Sequence, residues 1–276
     1  MTVEPPLSPR TGRVKAARRL SSRAARTRKR RFVAEGPRAV REALAAPDAV
    51  VEVLATATAT ERHPDLHGAA TAAGVPWTRV GAEVVAAVSG TVHPQGLVAV
   101  CRFVDLPTAS ALSGQPRLVA VAVAVGEPGN VGTLIRCADA AGADAVVVTG
   151  NGVDPFNPKA VRASAGSLFH LPIAVEPDPR AVVEACRAAG LVVLAADPAA
   201  TVDLDAAEAS ALLAAPSAWL FGNEAHGLSD ALIELADHAV AVPLHGRAES
   251  LNLAAAAAVC LYASARAQRA PDRRVD

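Results

Sequence analysis

Two segments in the last third of this chain constrain it more than any other feature. One is Trp219–Leu228, WLFGNEAHGL; the other, AVPLHGRAESLNL, ends at Leu253. Each is a short apolar run that gives way to a loop of Gly, Asn, Glu or Ser. A buried strand delivers polar groups to a site at its carboxyl end in this way. Two such strand ends close together in sequence imply one shared pocket.

The chain has 276 residues, 51% of them apolar. That is enough to bury a large core, and two domains are expected. Aromatic residues make up only 3%, so the core must be built from Ala, Val and Leu, which suits close α/β layering. The formal net charge of zero hides an asymmetry. Between Arg10 and Arg31 lie eleven Lys or Arg residues and no acid, so the first 34 residues carry about +10 and the rest about −10. This basic arm, residues 1–31, reads either as a solvated tail or as a segment that adds affinity for a polyanion. Arg28, Lys29, Arg30 and Arg31 are its densest cluster.

Cys101, Cys137, Cys186 and Cys260 form no CxxC pair and have no His at ligand spacing. They read as reduced thiols of a cytoplasmic protein, and no metal site is expected. The N-terminus carries positive charge without a following apolar stretch, which argues against a signal peptide. The longest apolar runs, Leu118–Val125 and Leu253–Tyr262, are too short to span a bilayer, so no membrane partner is expected.

Helix and strand signals alternate along the chain. Strands are predicted at Phe32–Ala34, Val50–Thr56, Val75–Val80 and Leu97–Val104, and helices at Pro37–Ala46, Thr60–Ala73 and Ala82–Ser89. These make a small α/β domain over 32–104. Residues 105–116, with Pro107, Ser110, Ser113, Gly114 and Pro116, have linker composition. From 117 to 270 a second alternation runs: LVAVAVAV from Leu118 as a strand covered on both faces, a loop at Gly126–Gly132, and a helix at Thr133–Ala141 stopped by Gly142. Asn157 with Pro158, and Asp178 with Pro179, read as N-caps followed by first-turn prolines. Strands at Leu191–Ala196, Ala218–Phe221 and Ala239–Leu244 and an Ala-rich helix from Leu251 to Arg266 complete a mostly parallel sheet with helices on both faces.

The loop GEPGNVG, Gly126–Gly132, sits where a dinucleotide-binding turn would. Its spacing is GxxGxxG instead of GxGxxG, and the next strand, DAVVVTG, does not end in the acid that would hold a ribose. A nicotinamide oxidoreductase is therefore disfavoured. The loop and its helix do offer Asn130 and Arg136. KAVRASAGSLFHLPI, Lys159–Ile173, adds Lys159, Arg162 and Ser164, whose basic and hydroxyl groups suit phosphate contacts or a solvated helix face.

Four blocks now stand in order: N130xG132xxxR136; R162xSxGSLF169; LFGNE ending at Glu224 with Gly227; and VPLxGxxESLN ending at Asn252. Over about 150 residues, Leu118–Arg266, this set resembles the SpoU, or TrmH, family of SPOUT-class RNA ribose 2′-O-methyltransferases, and actinobacterial members in particular. RKRRFVAEG and the helix after it resemble the substrate-binding domain that many members carry ahead of the catalytic one.

The resemblance implies an α/β fold in which a SPOUT-type parallel sheet is threaded into a deep trefoil knot, behind a smaller N-terminal α/β substrate-binding domain. It implies S-adenosylmethionine as cofactor, with Gly222, Val242 and Leu251 in contact and Leu220, Leu244 and Leu253 lining the site. It also implies a homodimer with the active site completed across the interface. Arg136 takes the catalytic position, with Asn130, Glu224, Ser250 and Asn252 orienting it and the ribose; Lys159, Arg162, Ser164 and the Arg28–Arg31 cluster are the RNA-facing set. A guanidinium rarely gives up a proton, so Arg136 is better suited to stabilise a forming alkoxide than to act as a base. His226 departs from the family pattern, which favours a small or acidic residue there. The substrate implied is RNA, ribosomal in preference to transfer RNA. The competing readings are a tRNA 2′-O-methyltransferase, an enzyme of antibiotic self-resistance acting on one rRNA nucleotide, and a non-catalytic RNA-binding or ribosome-assembly protein on a methyltransferase scaffold.

Overall fold

The computed structural model describes residues 7–269, so the first six positions of the basic arm and the last position of the domain expected over 117–270 lie outside the described residues. The chain divides into two compact units. One runs to Val104 and takes in Phe156–His170; the other comprises Asp105–Pro155 and the chain from Leu171 onward.

The first unit opens with α1 (Gly12–Arg18) and α2 (Arg23–Lys29), joined by a 3-10 turn at Arg19–Ser21. Most of the arm is thus helical. Val14, Ala17 and Leu20 recur at helical spacing and are buried, while Arg13, Lys15, Arg18 and Arg19 stay exposed. One arginine of the arm is structural: Arg26 is buried, and its Nη1 donates to the carbonyls of Leu20 and Ser21 at 2.9 and 2.8 Å. Charge density masked this amphipathic pattern in the sequence.

Next come β1 (Arg31–Glu35), α3 (Gly36–Ala45), β2 (Val50–Ala55), α4 (Ala57–Arg62), α5 (Pro64–Ala72), β3 (Trp77–Arg79), α6 (Ala82–Val88) and β4 (Leu97–Arg102). The helix expected over Thr60–Ala73 is two helices, because Pro64 pushes His63 out of helical geometry. The sheet order is β1-β4-β2-β3, with only the β2–β3 pair parallel.

The second unit begins inside the expected linker. β5 (Asp105–Leu106) pairs in parallel with β8 (Ile173–Glu176), and a single turn, α7 (Thr108–Ala111), buries Ala111 and Leu112 in the core. Those two apolar residues distinguish the segment from a solvated linker. The chain continues through β6 (Leu118–Val123), α8 (Pro128–Ala141) and β7 (Ala145–Thr149), passes into the first unit for α9 (Pro158–Ser164), and returns at β8. Then follow α10 (Pro179–Ala188), β9 (Val192–Ala196), β10 (Val202–Asp203), α11 (Leu204–Ala209), β11 (Ser217–Phe221), α12 (Asp230–Ile233), β12 (His238–Ala241) and α13 (Leu253–Arg269).

The eight strands are all parallel, in the order β10-β12-β9-β11-β6-β7-β8-β5. All six residues of β6 are buried, as a strand covered on both faces requires. Val182, Val183 and Cys186 of α10 pack on one face with Val121, Val147 and Leu220. Helices α8 and α13 pack together against β6 on the other, where Trp219 Nε1 donates to Ser264 Oγ at 2.9 Å.

Candidate active site

The site is assembled where β6, β9, β11 and β12 end. Strand β6 stops at Ala124, which takes a left-handed φ of 50°, and α8 follows after a short turn. That helix starts at Pro128, five residues before the expected Thr133. Proline at the first helical position lacks only an N–H that would be unpaired there, and Glu127 caps it by accepting from Gly129 N at 3.2 Å. Asn130 therefore lies inside the first turn of α8.

Glu224, just past β11, closes this turn from the opposite side. Its Oε2 accepts the Gly126 N–H at 3.0 Å, and its Oε1 accepts the Glu127 N–H at 3.1 Å and Asn130 Nδ2 at 2.8 Å. Asn130 Oδ1 in turn accepts from Asn252 Nδ2 at 3.2 Å, and Asn252 Oδ1 caps α13 through the Ala254 N–H at 2.9 Å. One chain of hydrogen bonds thus joins the amino ends of α8 and α13 through Glu224, Asn130 and Asn252. Burial raises the carboxyl pKa of Glu224, but the bond from Asn130 and the backbone N–H donors outweigh it, and the group sits below the usual glutamate value. It stays ionised at neutral pH and complements the positive end of α8.

The Gly222–Leu228 loop is folded tightly on itself. Asn223 and Gly227 exchange both backbone hydrogen bonds, and Asn223 Nδ2 donates to the Ala124 carbonyl at 2.9 Å. A Cβ on Gly222 would stand 2.3 Å from the carbonyl carbon of Gly227, so no other residue fits there without moving the loop.

Beside this network lies an open cavity of about 660 Å3, lined by Gly222, Glu224, Ser250, Leu251, Asn252 and Leu253 among others. A smaller hollow of about 80 Å3 adds Val242 and Leu244. Leu244 and Leu251 are 36% and 39% exposed, which leaves apolar surface for a ligand to cover. The larger volume lies within the roughly 300–1,000 Å3 of small-molecule sites. Apolar walls with a few polar groups suit an adenosyl ligand, so these residues fit S-adenosylmethionine.

Several expected residues stand elsewhere. Leu220 lines neither cavity; strand alternation turns it into the core with Val121 and Val193. Arg136 is exposed on α8, six residues beyond Asn130, and makes no hydrogen bond or ion pair among the described residues. Ser164 is fully buried and donates its hydroxyl to the Val161 carbonyl of its own helix at 2.8 Å. Lys159 and Arg162 belong to the first unit, as do Arg28, Lys29, Arg30 and Arg31, all four exposed, with the Arg30 guanidinium 4.6 Å from the centre of the Phe103 ring. Asp197 and Pro198, at the end of β9, line both cavities and were not anticipated. The apolar run ending in Asp-Pro was the available signal, since β9 lies between β11 and β12 in the sheet.

Fold and site define a parallel α/β protein with a cavity sized for a small organic ligand at the carboxyl ends of its strands. Comparison with known proteins narrows the class. Residues 117–262 match the SpoU rRNA Methylase family, and residues 12–99 match the MRM3-like substrate binding domain. The chain belongs to the SpoU rRNA methylase family. It is 36% identical over 258 residues to the 23S rRNA (guanosine(2553)-2′-O)-methyltransferase RlmP of Bacillus subtilis, covering 92% of this chain and 96% of the relative. Among solved structures, the SpoU methyltransferase AviRb from Streptomyces viridochromogenes in complex with AdoMet superposes with a TM-score of 0.80 at 30% identity, covering 93% of this chain and 98% of AviRb. An AdoMet-bound rRNA methyltransferase from Sinorhizobium meliloti also gives 0.80 at 30% identity, covering 94% and 95%.

Proposed function

We propose that this protein methylates a ribose 2′-hydroxyl of ribosomal RNA, using S-adenosylmethionine held in the cavity at the ends of β9, β11 and β12. The observation that carries the reading is the bond chain Glu224–Asn130–Asn252, which links three of the four family motifs beside that cavity. When bound, the cofactor supplies an electrophilic methyl group on a sulfonium. Leu251, Leu253 and Val242 would wall the adenosyl group, and Gly222 and its neighbours would bring backbone close to it.

The residues divide the remaining work. Glu224 is a poor proton acceptor, because its oxygens already accept three hydrogen bonds and its pKa is lowered. Its role is to fix the turn at the head of α8. Arg136, exposed and without a hydrogen bond or ion pair among the described residues, is available to hold the phosphate beside the target ribose and to stabilise the forming alkoxide.

The exposed stripe of α13, with Val259 43% and Tyr262 53% exposed, is the surface we assign to a second copy of the chain. Tyr262 donates to the Ala140 carbonyl at 3.2 Å, so the stripe lies against the helix that carries Arg136. A homodimer formed there would complete the site across its interface. The family's trefoil knot and a cytoplasmic setting belong to the same reading; among the described residues, no helix is long and apolar enough to cross a membrane.

Calorimetric titration with S-adenosylmethionine, followed by transfer of labelled methyl groups to deproteinised 23S rRNA and to tRNA, tests this. One site per chain and label in rRNA are expected. Arg136→Ala should bind the cofactor normally and lose about 10²–10³ in turnover. A folded protein that binds no cofactor with or without RNA, or label confined to tRNA, would overturn the corresponding part of the reading.

A further inference from the structure

The first unit contains a second cavity, of about 170 Å3, that methyl transfer does not use. Arg18 and Ser21 line it from the N-terminal helices, Glu35 from the end of β1, Ser89 and Gly90 from the loop after α6, and Arg162 from α9. It is smaller than the roughly 300–1,000 Å3 of sites that enclose an organic ligand. That size suits a compact ion with a little water.

The donor and acceptor inventory decides which ion. Glu35 is the one carboxylate in the lining, and its side chain is only 8% exposed. Its Oε1 accepts from the hydroxyls of Ser89 and Thr91; its Oε2 accepts the Gly90 N–H at 3.3 Å and faces Arg162 Nη1 at 3.6 Å. A carboxylate has about four lone-pair sites; three here are taken by hydrogen bonds and the remaining side faces Arg162, so the group offers little to the amino edge of a base. The groups still unused are donors: the Ser21 hydroxyl, the outward N–H groups of Arg162, and the whole guanidinium of Arg18, which has no hydrogen bond or ion pair among the described residues. Two guanidinium groups against one carboxylate leave the cavity positive. Donors, positive charge and small volume together describe a site for an oxyanion, with Glu35 as the buried counter-charge that holds Arg162 in place.

We propose that this cavity binds one phosphate of the RNA backbone between Arg18 and Arg162. The identity of the polyanion rests on the functional reading above; the oxyanion site itself does not. Phosphate contacts fix register without reading sequence, so the cavity would anchor the substrate to the first unit whatever bases flank the target.

Binding of deproteinised bacterial 23S rRNA to the full chain, measured over a salt series, tests the proposal with three variants. Arg18→Gln removes the free guanidinium. Lys15→Gln removes the same charge from the same helix outside the cavity. Gly90→Ala keeps the net charge but places a Cβ 2.9 Å from Arg162 Nη1, displacing that group. Arg18→Gln and Gly90→Ala should each weaken binding roughly five- to tenfold and Lys15→Gln less than about twofold, and Arg18→Gln should also flatten the slope of log K against log salt by ~0.7–0.9. Equal losses for Arg18→Gln and Lys15→Gln, or no loss in a folded Gly90→Ala, would overturn the site in favour of diffuse attraction. A parallel titration with inorganic phosphate, followed by NMR of the arginine side-chain N–H groups, separates this from the methyltransferase reading. Arg18 and Arg162 resonances that respond in wild type, with the Arg162 resonance no longer responding in Arg18→Gln, support the cavity even if S-adenosylmethionine does not bind. Unmoved resonances in wild type would overturn the cavity even if it does.

Discussion

At the carboxyl ends of the parallel strands, the second unit gathers a neutral amide and backbone N–H groups about one carboxylate, Glu224; the first unit sets another, Glu35, among hydroxyls, a backbone N–H and the Arg162 guanidinium, in a cavity that Arg18 also lines. The cores differ in the same sense. Apart from Trp219 and Phe221 of β11, the parallel sheet is packed mainly from Val, Ala and Leu, whereas Phe32, Phe103, Phe156 and Phe169, four of the chain's five phenylalanines, cluster in the first unit. Small side chains let backbone approach backbone, which a pocket built from main-chain groups requires. Over that core of rings, exposed arginines and lysines of the first unit make a surface suited to a large anionic partner. A cofactor of fixed shape is met by shape, and a polyanion by charge.

Gly222→Ala should strike the cofactor pocket while leaving the first unit intact. The added Cβ would collide with the backbone of Gly227 and Leu228, disrupting the pairing of Asn223 with Gly227. Overpacking of this kind costs about 1–3 kcal/mol or more, which corresponds to up to on the order of a hundredfold in cofactor affinity. Calorimetry should show that loss while RNA binding through the phosphate cavity proposed in the first unit changes little. A variant that kept its cofactor affinity would remove the main-chain pocket from the account.

Phe156→Ala probes the other side. Phe156 is buried, stacks on Phe103 at 3.9 Å between ring centres, and lies 5.0 Å from Phe32. Its truncation should destabilise the first unit by about 3–5 kcal/mol. Each unit contains one tryptophan, Trp77 in the first and Trp219 in the second, so fluorescence can follow them separately during denaturation. The Trp77 transition should move to lower denaturant. A shift confined to Trp219 would mean that the segment 156–170 belongs energetically to the catalytic sheet.

That segment also shows where sequence reading ran out. The parallel sheet was legible because each strand is an apolar run bounded by Gly, Asn or Pro, and β6, β7, β9 and β11 fall close to where those runs predict them. The caps at Asn157 and Asp178 were legible for the same local reason: each side chain accepts the predicted backbone N–H. The site motifs were legible as strings, and three of them are indeed joined by hydrogen bonds. Packing partners were not legible. Nothing local in RASAGSLF tells that Phe169 stacks with Phe32, that Ser164 is spent on its own helix, or that Arg162 faces Glu35. Nor was it legible that Leu220, alone among the expected cofactor residues, lines neither cavity, since both faces of β11 are buried. The helices of the arm were not legible because eleven positive charges obscured the spacing of Val14, Ala17 and Leu20.

The smallest expected effect concerns Glu224 and sharpens its assignment as an anchor. Its folded-state pKa lies below the ordinary 4.5, so it contributes stability that is present above that value and lost as pH falls through the folded value. Glu224→Gln keeps an acceptor oxygen but loses the charge that complements three N–H donors and the amino end of α8. Above pH 5 the variant should be less stable than wild type, and below 4.5 the two should converge as the wild-type carboxyl protonates. Thermal unfolding from pH 3.5 to 7 would read this difference directly. Because the side chain is largely exposed, solvent screening keeps the gap small, and the convergence with pH is the informative part. A constant offset across the whole range would mean that the residue acts through packing alone. A gap that closes instead toward high pH would have the wrong sign for an anchored carboxylate and would reopen the case for Glu224 as a proton acceptor in the methyl-transfer step.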